Sequence, residues 1–371
     1  MTLSSGKFCH QSQKARRKNN VGHAKVCSWM SADLWISFGN YAGIFQKSRN
    51  IKEEKTDTFV YRMFRMRTYV AGCLAICGFN SSAKIPPELK KTEILRRYKR
   101  PHLGVQAAWE SPILDITLSQ LIQGATTPED TARYRALRDK FAGAWLNALP
   151  SPQLGTLLSN ESFRIAVSLR LGCDVCQPHK CPCGAQVTGR GYHGLSCRRS
   201  AGRWSRHEAA NNVIARALRS AEVPCIRESA GCSTQDGKRP DGMTLIPWSR
   251  GKSLVWDVTC VDTFAPSYLP ETVRYQGAAA SKAEDSKRRR YAFLLDRFIF
   301  VPVAMETTGV WGQEGLLLIN QIGERIAART GQPNAVTFLR QRISLAVQRG
   351  NVASILGTLP EGKELEEVYY F

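Results

Sequence analysis

The sequence lacks any apolar run approaching the roughly 20 residues that a helix needs to cross a bilayer. The best candidate spans residues 69–79 and is far too short. The basic residues near the start are followed by no apolar segment, so nothing there resembles a secretory signal. We therefore expect a protein that is neither secreted nor membrane-spanning, with an intracellular location.

Acidic residues are also scarce. The 371-residue chain has 31 Asp+Glu against 52 Lys+Arg, which gives a formal net charge of +21. Such an excess predicts a polyanionic partner, with DNA as the first candidate and RNA as the second, and hence a nuclear location. A membrane surface is the rival partner, but it would need a basic amphipathic helix, and none stands out. A solvated basic surface is the simplest alternative.

The 12 cysteines are unevenly spread, and five lie in the segment CDVCQPHKCPCGAQVTGRGYHGLSC, residues 173–197. Without a secretory signal, this density of Cys and His indicates a metal site rather than disulfides. Four such ligands complete the tetrahedral shell of Zn²⁺, and a region this small needs a structural metal to fold. Cys176 and His179 are alternative ligands, and Cys173 could join. The predicted zinc ligands are Cys181, Cys183, His193 and Cys197.

The order of predicted elements after residue 200 indicates an α/β fold. A helix opens near Ser205, which has the spacing of a capping box with Glu208. Three strands, a helix, a fourth strand and two further helices follow, with a hairpin turn at Asp236-Gly237. The predicted strands cover residues 223–230, 239–247, 253–261 and 298–305, and the later helices cover residues 272–295, 316–329 and 336–349.

Composition and periodicity divide the chain into five segments. The pattern of the first segment, residues 1–104, does not predict a fold, and partial disorder is expected there. The segments are a basic region over residues 1–104, a helical adaptor over 105–172, a zinc knuckle over 173–199, the α/β core over 200–352 and a C-terminal tail over 353–371.

Two acidic residues fall on the strands of this core. Asp241 lies at the start of the second strand, and Asp257 interrupts the apolar third strand. If the two strands pair through the Arg250-Gly251 turn, their carboxylates approach each other. An ionised carboxylate inside an apolar strand needs a cation partner. Two converging carboxylates form a site for Mg²⁺ or Mn²⁺, which would activate water and neutralise charge on a phosphodiester.

Further residues are candidates for the same site. A nuclease of this design usually has a lysine where Thr259 stands, one pleat beyond the second acid. The following helix offers Lys287, with Lys282 as a second choice. Glu208, on the helix that opens the core, could assist the metal through a water.

Structural explanations exist for each of these residues. Pro-Asp-Gly is a common turn, so Asp241 alone carries little weight. Asp257 could pair with an arginine such as Arg274, and Glu208 could serve only the capping box. The basic run at residues 287–290 could be a solvated or phosphate-facing helix surface.

The combination of these features resembles known nucleases. The helix–strand–strand–strand–helix–strand order, with Arg239-Pro240-Asp241 and the later Asp257, is similar to the PD-(D/E)xK restriction-like fold. A Cys-Cys-His-Cys knuckle followed by Arg206-His207 resembles the C-terminal endonuclease of site-specific non-LTR retrotransposons. This resemblance implies Mg²⁺-dependent DNA nicking that primes reverse transcription.

Carried over to this sequence, the resemblance implies metal carboxylates at Asp241 and Asp257, with Lys287 as a displaced catalytic lysine and Lys282 as the second choice. It also implies the four knuckle ligands named above. No Asp-Asp pair occurs in the chain, so the polymerase motif of such elements is missing. A fragment of this kind would need a reverse transcriptase supplied in trans. The alternative is a nucleic-acid-binding protein derived from such a nuclease and without catalysis.

Overall fold

Helices and a four-stranded mixed sheet make up the described part of the protein, which confirms the predicted α/β class. The computed structural model describes residues 106–200, 202–228, 231–234 and 237–359. The predicted basic region lies outside these residues, and so does most of the predicted C-terminal tail.

The elements follow the chain in a helical part, a small hairpin part and an α/β part. The helices are α1 (Gln106–Gln123), α2 (Pro128–Leu137), α3 (Asn160–Leu171), α4 (Tyr192–Ser196), α5 (Gly202–Ser220), α6 (Leu269–Thr272), α7 (Ala278–Arg290), α8 (Gln313–Thr330) and α9 (Ala335–Leu356). The strands are β1 (His179–Lys180), β2 (Gln186–Val187), β3 (Cys225–Arg227), β4 (Gly242–Thr244), β5 (Leu254–Val261) and β6 (Ile299–Glu306).

The main sheet has the strand order β3-β4-β5-β6. The first two pairs are antiparallel, whereas β5 and β6 are parallel. Gly242 pairs with Trp256 between β4 and β5, and Leu254 pairs with Ile299 where β5 meets β6. Because parallel neighbours need a crossover, the chain runs from β5 through α6 and α7 to β6. Strands β1 and β2 form a separate antiparallel pair.

Strand β5 lies at the centre of the core. Its sequence LVWDVTCV is rich in residues that favour strands, and its first five residues are buried, as expected of a strand that is covered on both faces. Alternate side chains face opposite ways. Trp256 and Val258 pack among α5, α8 and α9, whereas Val255 packs with Tyr291, just beyond α7. Asp257 therefore faces the side of the sheet that α7 covers.

The two faces of the sheet are packed differently. Large aliphatic residues cover one face, where Ile214 of α5, Ile319 of α8 and Ile343 of α9 are fully buried. Helix α7 covers the other face with alanines, and Ala280 packs directly against Ala304 of β6. Small side chains allow this helix to approach the sheet closely. No helix in the described ranges combines the length and apolar character that spanning a membrane requires.

The first helix of the core begins three residues before the predicted start. Helix α5 starts at Gly202, so Ser205 lies inside it and its hydroxyl donates to the Gly202 carbonyl at 3.1 Å. The predicted capping box is therefore not formed. This start of α5 is closely packed on α9, because a Cβ on Gly202 would stand 2.1 Å from the backbone nitrogen of Ser354.

Other boundaries also differ from the prediction. The helix predicted over residues 272–295 is shorter in the structure, because α7 begins only at Ala278, after Gly277 in a left-handed conformation (φ +75°), while α6 ends at Thr272. The second predicted strand is shortened to Gly242–Thr244. The predicted Asp236-Gly237 turn lies partly outside the described residues, since only Gly237 is described.

Candidate functional site

Backbone pairing brings the two predicted carboxylates together. The amide of Asp241 donates to the Trp256 carbonyl at 3.0 Å, and its Oδ2 accepts from the amide of Val258 at 2.6 Å. These bonds fix Asp241 beside Asp257 on the neighbouring strand. Asp241, Asp257 and His207 each offer a ligand atom, and these three atoms lie within 4.8 Å of one another.

The predicted helix lysine reaches the same place. Lys287 Nζ lies 3.0 Å from both carboxylate oxygens of Asp257. The side chain of Asp257 is only 3% exposed, and that of Lys287 is 21% exposed. The alternative partner considered from the sequence, Arg274, is exposed at the surface. Lys282 does not join the site, because it pairs with Glu271 at 2.7 Å.

Glu208 forms an ion pair with Arg227, which pairs in the sheet with Gly242, the residue after Asp241. Its two oxygens accept from Arg227 Nη1 at 2.5 Å and Nη2 at 2.8 Å, and Asn212 donates to it at 3.1 Å. The hydrogen bond from Arg227 is the main reason that the pKa of Glu208 is lowered. The sequence suggested either a capping role or a metal-assisting role for Glu208. The capping box is not formed, and the metal-assisting role stays a prediction beside this ion pair with Arg227.

His207 is the member of the site that sequence reasoning did not assign. It extends from α5, and its Nε2 lies 3.0 Å from Asp241 Oδ2. Burial would lower the pKa of His207, but the hydrogen bond and charge of Asp241 outweigh it and raise the pKa. The Arg206-His207 pair was the available signal, although the sequence gives no sign that His207 meets Asp241 34 residues later.

The two carboxyl groups have opposite pKa shifts. Burial would raise the pKa of Asp241, but hydrogen bonding and charge from His207 lower it overall. Burial, with a contribution from the charge of Asp241, raises the pKa of Asp257 to about 6, although Lys287 opposes this rise. Burial and the nearby Asp257 also raise the pKa of Tyr291. The site thus holds one firmly ionised acid and one that titrates close to neutrality.

This donor set fits a divalent cation. Two carboxylates and an imidazole are ligands for Mg²⁺ or Mn²⁺, with carboxylate oxygens preferred by Mg²⁺. Burial is the main cause of the raised pKa of Asp257, the charge of Asp241 adds to it, and Lys287 opposes it. A divalent cation would add positive charge beside these acids.

The predicted zinc ligands also converge. Their four donor atoms lie within 4.8 Å of one another. The Sγ atoms of Cys181 and Cys197 are 3.8 Å apart, and Cys183 Sγ lies 3.2 Å from His193 Nε2. Tetrahedral Zn²⁺ with bonds of 2.3 Å to sulfur would place two sulfurs about 3.8 Å apart. The described cluster therefore has the composition and spacing of a structural zinc site.

Local structure explains how the cluster forms. Strands β1 and β2 bring Cys181 and Cys183 to one turn, where Gly184 takes a left-handed conformation (φ +97°). Helix α4 supplies His193, and Cys197 follows its end. The hydrogen bond from the backbone of Ala185 contributes most to lowering the pKa of Cys183 to about 6, which favours the thiolate that a metal needs.

The alternative zinc ligands are outside the group of converging donor atoms, although Cys176 packs against Cys181 and Cys197. Cys176 Sγ is 3.7 Å from the carbonyl oxygens of Thr188 and Gly189. His179 uses Nε2 toward the Thr358 hydroxyl at 3.0 Å and Nδ1 toward a backbone carbonyl. Cys173 is exposed and is not part of the converging group. The structure thus selects the first of the ligand sets that the sequence left open.

A buried arginine connects the two clusters. Arg206, next to His207, is 2% exposed. Its Nη1 donates to Asn351 Oδ1 of α9 at 2.8 Å, and its Nη2 donates to the Leu195 carbonyl of α4 at 3.2 Å. Hydrogen bonds of Arg206 therefore connect the segment of the four predicted zinc ligands, here called the zinc-type cluster, to α5, the helix that carries His207.

The chain matches no model of a known protein family, and no curated protein is similar to it. Evidence on its function therefore comes from the geometry of the two clusters.

Proposed function

We propose that this protein is a zinc-containing, Mg²⁺-dependent DNA endonuclease with a PD-(D/E)xK-like core. The observation that carries the proposal is the convergence of Asp241, Asp257 and Lys287 at one end of a helix–strand–strand–strand–helix–strand unit. Two carboxylates and a lysine on such a unit are the minimum set for metal-assisted phosphodiester hydrolysis.

The strand topology supports this reading. Strands β3, β4 and β5 form an antiparallel meander, and β6 returns parallel to β5 through α7. The lysine comes from that crossover helix, while Thr259 occupies the strand position one pleat beyond Asp257. Because α7 covers the face to which Asp257 points, Lys287 reaches the acid from the helix.

Each residue has a distinct role in the proposed reaction. Mg²⁺ held by Asp241 and Asp257 would neutralise phosphate charge and activate water. His207 holds Asp241 ionised and correctly oriented through its 3.0 Å contact. Lys287 is a charged donor at the buried carboxylate, where it can orient the attacking water or stabilise charge on the phosphate.

Charge distribution supports nucleic acid as the substrate. The chain carries a formal net charge of +21, and α7 ends in Lys287-Arg288-Arg289-Arg290. Of these, Arg289 and Arg290 are exposed beside the lysine that enters the site. Exposed arginines near a metal centre suit contacts with DNA phosphates, which are independent of sequence and weaken with salt. In a retroelement-derived nuclease, a reverse transcriptase would act in trans, in the nucleus.

The test is nicking of supercoiled plasmid DNA with added Mg²⁺. We expect nicked circles from the wild type and at least a hundredfold less from Asp257→Asn, on the order of the effect of losing one charge-stabilising group. Asp285→Asn, on an exposed part of α7, is the matched control and keeps full activity. Equal nicking by wild type and Asp257→Asn contradicts the proposal.

A second function is favoured by one observation. Lys287 already contacts both oxygens of Asp257, which is the arrangement of a purely structural ion pair. In that case the protein binds nucleic acid without cleaving it. Binding that falls steeply with salt, is unaffected by Mg²⁺ and survives Asp241→Asn distinguishes this function from the nuclease.

A further inference from the structure

Helix α5 carries a row of three residues on one side, and the middle residue of the row contacts the carboxylate site. Asn211, His207 and Trp204 are separated by four and three residues, so they share one side of the helix. Asn211 is fully buried, and its Oδ1 accepts from Trp256 Nε1 at 3.1 Å. His207 reaches Asp241, and Trp204 is 71% exposed. The row therefore runs from the core, past the acids, to the surface.

Trp204 is not explained by packing in the described part of the chain. Most of its ring remains in water, where a large apolar surface is unfavourable. Its ring centroid lies 6.3 Å from that of His207, with 35° between the planes. An indole that is mostly exposed and adjacent to a site residue is well placed to contact a ligand that occupies the site.

Cationic side chains accompany this tryptophan. Arg203 precedes it, and Arg198 and Arg199 lie in the link from the zinc-type cluster; all three are exposed. Arg203 Nη1 donates to the Ser196 carbonyl at 3.3 Å, which places it next to α4. A planar ring flanked by guanidinium groups is the composition that binds a single-stranded nucleotide, with the ring under the base and the cations near phosphates.

We propose that Trp204 stacks on an unpaired base next to the phosphodiester held at Asp241 and Asp257. This proposal rests on the proposed nuclease function and adds a substrate class, namely DNA with an unpaired nucleotide at the cleavage position. In an intact duplex both faces of a base are covered by its neighbours, so an exposed indole cannot stack on it. An unpaired base has a free face, and any of the four bases can offer it.

The experiment compares two DNA duplexes that each contain one 2-aminopurine. The 2-aminopurine is unpaired in one duplex and paired in the other. The full chain carries Asp257→Asn in every sample, so no strand is cut during binding. We expect the protein to quench the 2-aminopurine and to bind the duplex with the unpaired base more tightly. Trp204→Ala should remove the quenching and weaken binding to that duplex about tenfold, with no change for the paired duplex.

Two further variants serve as controls. Trp204→Phe retains an aromatic face and should keep most of the preference. Phe338→Ala removes an exposed aromatic side chain on α9 and should not change binding. Phe338 lies twelve residues, about 18 Å along the helix, from Gly350, which is the point where α9 contacts Arg206 of α5. Circular dichroism of each variant shows that the fold is kept.

The proposal is overturned if adding Trp204→Ala to the Asp257→Asn protein leaves binding to both duplexes unchanged, or weakens binding to both equally. The first result would assign the exposed ring to another partner, such as a protein. The plasmid nicking test is separate. If the wild type does not nick plasmid DNA while the Asp257→Asn protein shows a Trp204-dependent preference, the nuclease is overturned and the stacking site is supported.

Discussion

The ammonium group of Lys287 bridges both carboxylate oxygens of Asp257 at 3.0 Å, between the crossover helix and the central strand. The acid is almost completely shielded from water. A shielded acid with one cationic partner depends on that partner for its charge. The consequences of this relationship for stability, pH dependence and metal binding can each be measured.

Loss of Lys287 should destabilise the metal-free protein. Lys287→Met leaves the buried Asp257 without its partner, and we expect the free energy of unfolding at pH 7 to fall by about 3 kcal/mol. Urea denaturation measures this change. Lys282→Met is the matched control, because its pair with Glu271 is exposed on both sides and should contribute at most about 0.5 kcal/mol. Similar losses in the two variants would contradict the burial argument.

Asp257 should give the protein a characteristic pH dependence. Its pKa is raised from 3.8 to about 6 in the folded state, so the folded chain holds the proton more tightly than the unfolded chain. Stability from this group is therefore present below about pH 4 and is lost as pH rises to about 6, by up to about 3 kcal/mol. Urea denaturation between pH 4 and 7 should show this decline in the wild type and not in Asp257→Asn.

The contribution of Asp241 to stability should depend on pH in the opposite direction. The contacts of His207 lower the pKa of Asp241, so its contribution is present above pH 3.8 and is lost as pH falls below that value. Asp241→Asn should reduce the decline between pH 4 and 6, because the charge of Asp241 contributes to the raised pKa of Asp257, but should not remove it, because burial is the main cause. If it did, the pH dependence would belong to the coupled pair rather than to Asp257.

The Cys/His cluster should bind one zinc ion per chain. Cys197→Ser removes a buried ligand, and we expect metal analysis of the purified variant to show less than about a tenth of the wild-type zinc, since three remaining donors leave the tetrahedral shell open. Cys176→Ser is the matched control and should retain a full zinc equivalent. Loss of zinc in both variants would show that Cys176 is a ligand after all.

The contact between α5 and α9 should not tolerate a larger residue. A Cβ on Gly350 would stand 2.3 Å from Cβ of Arg206, so Gly350→Ala must displace the helices and should reduce stability by about 1–3 kcal/mol. Gly124→Ala is a control, because its nearest contact would be an ordinary 3.4 Å. Equal melting temperatures for wild type and Gly350→Ala would contradict the packing.

Much of the core was predictable because its signals are local. Strand β5 was predicted over residues 253–261 and is found at Leu254–Val261, since Val, Trp and Thr in a continuous run favour a buried strand. The approach of Asp241 to Asp257 followed from the expected pairing of two strands joined by a short turn. Both inferences need only neighbouring elements.

The remaining features depend on contacts between distant segments. Helix α5 starts at Gly202, where Ser354 of α9 leaves no room for a side chain, and not at the local capping pattern. Glu208 pairs with Arg227, 19 residues away on another element. The approach of His207 to Asp241 likewise requires α5 to be packed against the sheet. No periodicity or spacing in the sequence encodes such partners.

The crossover helix has a further consequence for how this chain can change. Helix α7 lies in the connection between two parallel strands and also carries Lys287, so a change in the length of this connection would also move the ammonium group. A single inserted residue between Gly277 and Lys287 would rotate the lysine by about 100° about the helix axis, away from Asp257. The segment between these two residues should therefore accept substitutions but resist changes of length.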